Sequence, residues 1–257
     1  MALQETLKLL FNLAHLFPNL RADLLPTLSP ILSILTHESP APSSPLQAPT
    51  SQLINALTTL EPTPTELHIL YPETDPSRNI DVLIQLLDAS TLAYTAEELN
   101  QHAASLLLLL RRLYPSAPIP AQKSMHTQLL PTDAERDKPL GQSNTLFSRL
   151  LQLSMSSFTP ALRDSIAGLM FELSDKDVDA FVKNAGYGFA SGFLVNNGIP
   201  LGSGGAASAA NGTEADQRGF NPVTGQFVDK EVEDNGPPMT DQEKEREAER
   251  LFVLFER

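Results

Sequence analysis

The sequence predicts an all-α fold, an α-solenoid followed by a flexible linker and a C-terminal docking helix, and three observations carry that expectation. Apolar residues make up 41% of the 257-residue chain and are mostly leucine, while aromatics contribute only 6%. Short β-branched runs of the kind that mark strands are nearly absent. Residues 1–197 alternate between amphipathic segments of helix length and proline-rich or polar breaks. Many helices of similar length joined by short breaks suit stacked pairs or triples more than a four-helix bundle, although no strict repeat period is visible and a bundle stays open.

The elements follow in order. Leu3, Leu7, Leu10, Phe11, Ala14 and Phe17 recur at spacings of three and four, so one stripe of a first helix is expected to be buried. Leu24, Leu28, Ile31, Leu32 and Leu35 continue the pattern over residues 20–35, where Pro26 and Pro30 should kink or shorten the helix. Four prolines, at positions 40, 42, 45 and 49, make residues 37–50 a loop. Further helices are expected at 51–60, 79–93, 95–113, 142–157, 160–173, 175–184 and 187–196. Thr95 with Glu98 forms a capping-box pattern, and Pro160 follows Thr159 at a favoured first-turn position.

After a helical unit at 1–197, residues 198–219 are rich in glycine, alanine and serine and read as a flexible linker. Residues 220–257 form a separate arm: Phe220, then Asn221-Pro222-Val223-Thr224-Gly225 with turn chemistry, then an acidic stretch and a final helix from about Thr240 to Phe255. Thr240 and Glu243 make a second capping box, and Ala248, Leu251, Phe252 and Phe255 form an apolar stripe. Such a stripe must dock on something, and the residues alone leave binding in cis and in trans equally open.

Charge and composition exclude several functions. The net charge of −13 repels phosphate backbones and anionic headgroups, so nucleic acid is not an expected partner, and a protein partner should offer a basic patch. With no cysteine there is no thiol chemistry or disulfide, in keeping with a cytoplasmic chain. The leucine run at 106–110 is closed by Arg111 and Arg112, far short of a membrane span, so no membrane insertion is expected. The N-terminal segment reads as an amphipathic helix and lacks the basic start of a signal peptide.

No catalytic, cofactor or metal constellation emerges, and the chain is read as a regulator with no chemistry of its own. Histidines 15, 37, 68, 102 and 126 are scattered without metal-ligand spacing. There is no nucleophile elbow, and the glycine-rich run at 202–212 follows no strand and lacks a Gly-Lys-Ser/Thr ending. Gly186-Tyr187-Gly188 is expected to end one helix and let the next pack closely, with the tyrosine as a buried anchor. Asn211-Gly212-Thr213 matches a glycosylation sequon but has no secretory context.

Several segments in order, 5–12 (ETLKLLFN), 139–144 (PLGQSN), 171–177 (FELSDKD), 181–190 (FVKNAGYGFA), 221–225 (NPVTG) and 239–248 (MTDQEKEREA), resemble the synembryn family, also called resistance to inhibitors of cholinesterase 8, with a fungal character. The resemblance implies an armadillo- and HEAT-like solenoid that binds heterotrimeric G-protein α subunits as a non-receptor guanine nucleotide exchange factor and folding chaperone. The partner would be the GDP-bound or nucleotide-free α subunit, and the chain a monomer. A concave face would capture the C-terminal helix of the α subunit, and the arm would steady the Ras-like domain. By the same resemblance the partner contacts are Asn221, Pro222, Val223, Thr224 and Gly225, and Leu251, Phe252 and Phe255 with Glu243 and Glu247 beside them. Two departures stand out. The family's solenoid is longer, and this chain starts at what resembles its middle, so an N-terminal half is expected to be missing and the first helix to expose a stacking face. The acidic phosphorylation cluster of animal relatives is also absent, leaving only Thr213 with Asp216 as a weak site. A helical-repeat adaptor, or a fragment that binds without exchange activity, is the other reading.

Overall fold

Helical periodicity and proline placement determine most of the elements in the computed structural model, which describes residues 2–37, 40–156, 158–200, 219–221, 223–231 and 246. Helix α1 (Ala2–Leu16) buries Leu7, Leu10 and Ala14, whereas Leu3 and Phe17 of the expected stripe stand in solvent together with Leu9 and Leu16. Pro26 breaks the next segment: α2 (Arg21–Leu24) ends in a 3-10 turn at Leu25–Thr27 before α3 (Leu28–His37) resumes. Pro30 falls in the first turn of α3, where a missing N–H loses no intrahelical bond. The proline loop then leads to α4 (Thr50–Thr59), the single turn α5 (Leu67–Leu70) and the long α6 (Arg78–Ala93).

The segment expected as one helix at 95–113 is bent into α7 (Ala96–His102) and α8 (Ala104–Leu113). Both bonds of the Thr95–Glu98 capping box are present at its start. The ladder runs through the bend, since Ala103 N–H donates to Leu99 O and Leu107 N–H to Ala103 O. Helix α9 (Ile119–Leu129) lies where no helix was expected, because only Ala121, Met125 and Leu129 are buried, a stripe too thin to stand out among its polar neighbours. Helix α10 (Leu146–Ser154) is shorter than expected and starts at Thr145, whose hydroxyl accepts Ser148 N–H at 3.2 Å. Pro160 opens α11 (Pro160–Leu173) as expected, but the Thr159 hydroxyl makes no capping bond. Helix α12 (Val178–Ala185) begins three residues late. Asp175 and Lys176 adopt left-handed φ of 54° and 59°, and Asp177 caps the helix by accepting Ala180 N–H at 2.7 Å. Helix α13 (Tyr187–Asn196) follows at once.

Contacts between helices form two rows. In one, α1 packs on α4, α4 on α8, and α8 on α11; in the other, α3 packs on α6, and α6 on α9 and α10. Each helix meets its neighbours a repeat away, which is the packing rule of a solenoid. The first row begins at residues 2, 50, 104 and 160, intervals of 48, 54 and 56, and this unevenness hides the repeat from a search at fixed period. No strand occurs among the described residues; Phe220 and Phe227 form one isolated antiparallel bridge. No helix among them is long and apolar enough to cross a membrane.

Four phenylalanines close the last repeat. Phe181 is fully buried, with ring centroids 5.4 Å from Phe171, 6.0 Å from Phe189 and 5.8 Å from Phe193, all edge-on. Phe181→Ala is therefore expected to cost about 3–5 kcal/mol of stability, read by urea unfolding, through the lost burial and the cavity left among the three rings.

Candidate functional site

Beyond α13, residues 219–221 and 223–231 form a compact turn that lies against the solenoid. Asn221 makes the turn: its Oδ1 accepts Val223 N–H at 2.8 Å and Thr224 N–H at 3.3 Å, and its carbonyl accepts Gly225 N–H at 2.7 Å. Gly225 is at φ 68°, and a Cβ there would come within 2.7 Å of Leu140 Cγ, so glycine is required twice over. The turn is closed by Asn221 N–H donating to Gln226 O at 2.7 Å and Val228 N–H to Gly219 O at 2.9 Å.

The seat is the stretch 136–140 between α9 and α10, together with the end of α12. Leu140 N–H donates to Thr224 O at 2.9 Å, and Phe227 N–H donates to Arg136 O at 2.8 Å. Gln226 Nε2 donates to Asp137 O at 3.0 Å. Arg136 is the centre, only 4% exposed, with Nη1 donating to Lys183 O at 2.7 Å and Gly225 O at 3.2 Å, and Nη2 to Asn184 Oδ1 at 3.2 Å. Its charge is met by these oxygens of α12 and the turn. Burial lowers its pKa while Asp133 and Glu135 pull the other way, and a guanidinium remains charged throughout. Burial likewise pushes Lys183 down, helped by repulsion from Arg136 and opposed by Asp133.

Glu135 stiffens the seat from behind. Oε1 accepts the hydroxyls of Ser143, at 3.0 Å, and Thr145, while Oε2 accepts Thr132 N–H at 3.0 Å. Burial pushes this carboxyl up, but the hydrogen bonds from Thr132, Thr145 and Ser143 outweigh it and hold its pKa below the ordinary value.

Beside the turn, α10, α11 and α13 leave a groove of about 430 Å³ lined by Leu151, Ala167, Phe189, Phe193 and Val223 among others. Two of its lining side chains are apolar and exposed, Met155 at 66% and Val223 at 70%. Gly188 and Gly192, one turn apart on α13, also line it, and a Cβ on either would meet nothing within 4 Å. This corrects the expectation for Gly186-Tyr187-Gly188. Gly186 does separate two helices at φ 83°, but Tyr187 is 39% exposed and is no buried anchor, and Gly188 borders open space where close packing was expected.

Of the expected partner contacts, Asn221, Val223, Thr224 and Gly225 are brought together in this turn, with Val223 outermost. Pro222, Glu243, Glu247, Leu251, Phe252 and Phe255 lie outside the described residues, as does the linker between 201 and 218. Arg136 and Leu140 escaped the sequence reading as site residues. Arg136 sits in the charged run 133–137, which reads as a solvated surface, and no local pattern distinguishes it.

The sequence profile described as guanine nucleotide exchange factor synembryn matches residues 1–257, the whole chain. The chain belongs to this synembryn family. Curated relatives agree. Chaperone Ric-8A of Macaca fascicularis is 30% identical over 152 residues, covering 54% of this chain and 27% of the relative. Chaperone Ric-8A of Danio rerio is 29% identical over 169 residues, 62% of this chain and 30% of the relative. A synembryn-like chaperone of Schizosaccharomyces pombe is 28% identical over 149 residues, 53% and 28%. The match thus spans under a third of the length of these relatives.

Two outcomes test this member of the synembryn family at its seat. Arg136→Met leaves the Lys183 and Gly225 carbonyls without their donor, at a cost of about 1–3 kcal/mol, and should make the chain near residues 219–231 sensitive to limited proteolysis while the helical circular dichroism persists. Glu135 has a depressed folded pKa, so its contribution to stability is present above its unfolded pKa and is lost as pH falls through the folded one. Unfolding midpoints should therefore drop on acidification below the usual glutamate range, and Glu135→Gln should flatten that part of the profile.

Proposed function

We propose that this chain binds a heterotrimeric G-protein α subunit and, with the remainder of a family solenoid, acts as a guanine nucleotide exchange factor and folding chaperone. Family membership supports the class of activity, and the names of the relatives support the chaperone role. The observation that carries the reading at residue level is the turn 219–231, seated on the last repeat beside an apolar groove.

In this reading the residues of the turn divide their work. Asn221, Thr224 and Gly225 direct their polar groups inward and hold the turn, while Val223 faces outward as the contact at the groove's edge. Leu251, Phe252 and Phe255 then extend the contact, with Glu243 and Glu247 meeting basic residues of the partner. Mechanistically the protein favours the α subunit in its open, nucleotide-free state by binding that state more tightly, and GTP reverses the preference by binding the closed one. In this reading the chain acts by differential binding alone.

The test is direct binding and exchange. Purified chain incubated with GDP-loaded or nucleotide-free α subunit should form a complex, and joint Phe252→Ala and Phe255→Ala replacement should weaken it by about 30-fold or more, as loss of an aromatic anchor does. Val223→Asp should weaken it too without lowering the melting temperature. Absence of any complex with either form of the α subunit refutes the proposal. A complex without faster GDP release assigns the chain to the adaptor reading. If the Phe replacements lower only thermal stability, the stripe packs in cis.

A further inference from the structure

A second, separate cavity lies in the middle of the solenoid. It is a partly open pocket of about 190 Å³ between α3, α4, α5, α6 and α8, with Leu32, Leu57, Leu60, Leu70, Leu83 and Leu113 in its wall. The single turn α5 contributes Leu70 to it. The polar groups in and around the wall are occupied: Asn79 Nδ2 donates to Ile69 O and Leu70 O, at 3.2 and 2.8 Å, and the Tyr71 hydroxyl donates to Leu113 O at 2.7 Å. Neither of the two unpartnered buried polar side-chain atoms among the described residues, Gln52 Oε1 and Thr159 Oγ1, belongs to the lining. A leucine-walled space of this size accepts a molecule slightly larger than benzene.

The rim has the opposite character. Glu61 Oε1 accepts Arg21 Nη1 at 2.7 Å and Arg112 Nη2 at 3.0 Å. Arg112 Nη1 donates to Thr58 O. Two guanidinium groups thus share one carboxylate, leaving a positive charge in excess at the mouth of an apolar chamber, in a chain whose net charge is −13. Arg112 lines the cavity, its side chain is 40% exposed, and its fork retains N–H donors beyond these two bonds. Carboxylates pair with a guanidinium fork in preference to other small anions of poorer geometric match.

We propose that this cavity is a binding site for a small aliphatic carboxylate, its tail among the leucines and its carboxylate on Arg112 at the rim. The site shares no lining residue with the turn 219–231 or the groove beside it.

Titrating the intact chain with butyrate, hexanoate, octanoate and decanoate, each beside the matched alcohol and below its micelle concentration, tests this by methyl NMR. Saturable shifts are expected at Leu57 and Leu83. Affinity should rise roughly fourfold per methylene and level off at about eight heavy atoms, when the cavity is full. Each acid should bind more tightly than its alcohol. Arg112→Ala, at a partly exposed position, should remove that preference, whereas Glu61→Gln, which frees both guanidinium groups, should enlarge it. The absence of saturable shifts overturns the proposal. So does equal binding of acid and alcohol by the unmodified chain, or affinity that climbs steadily through decanoate and ignores Arg112→Ala.

Discussion

In a solenoid no helix can bury its apolar face alone, and every repeat leans on the next, so whatever closes the last repeat bears on the whole stack. Here the row α1, α4, α8 and α11 is continued by α12 and α13, whose inner faces meet over the Phe171, Phe181, Phe189 and Phe193 rings. Past those rings the chain returns as the turn 219–231 and covers the junction between the 136–140 stretch and α12. The turn is thereby a cap, and its sequence is shaped by that duty: an asparagine to fold it, a glycine to clear Leu140, and a buried Phe227 to fill beneath it.

The polar part of the cap is unusual in its charge balance. A buried arginine is ordinarily matched by a carboxylate, but Arg136 is bonded to two backbone carbonyls and one amide oxygen. Those carbonyls belong to α12, near its C-terminal end, where the helix dipole places negative charge, and to the turn. Asp133 and Glu135 supply longer-range attraction, with Glu135 also fixing the shape of the loop that carries the arginine. The guanidinium therefore reads the presence of both α12 and the turn, and satisfies neither fully without the other.

The fold was legible where leucine spacing was dense and punctuation strong. Helices α4, α6 and α11 fall within a residue of their expected bounds, and the Thr95 capping box and the Pro26 break are where local chemistry puts them. Legibility failed where tertiary contacts decide. Helix α9 buries a single thin line of side chains, and the left-handed pair Asp175 and Lys176 delays α12 although neither residue is glycine. Tyr187 looked like an anchor because aromatics usually are, yet the neighbouring glycines leave open space rather than a tight contact. The turn residues were recognisable as a motif, but their seat was not, since Arg136 is 89 positions from Gly225 and nothing local ties them.

That separation also sets the order in which the parts assemble. Other tertiary hydrogen bonds of the helical unit join residues such as Arg21 to Glu61, 40 apart, and Asn100 to Leu162, 62 apart, each within one or two repeats. Closing a loop of 89 residues carries the larger entropic cost and gains nothing until the 136–140 stretch and α12 are already in place to receive it. Docking of the turn therefore follows the ordering of the 136–140 stretch and α12, and a seated turn reports that those two segments are in place.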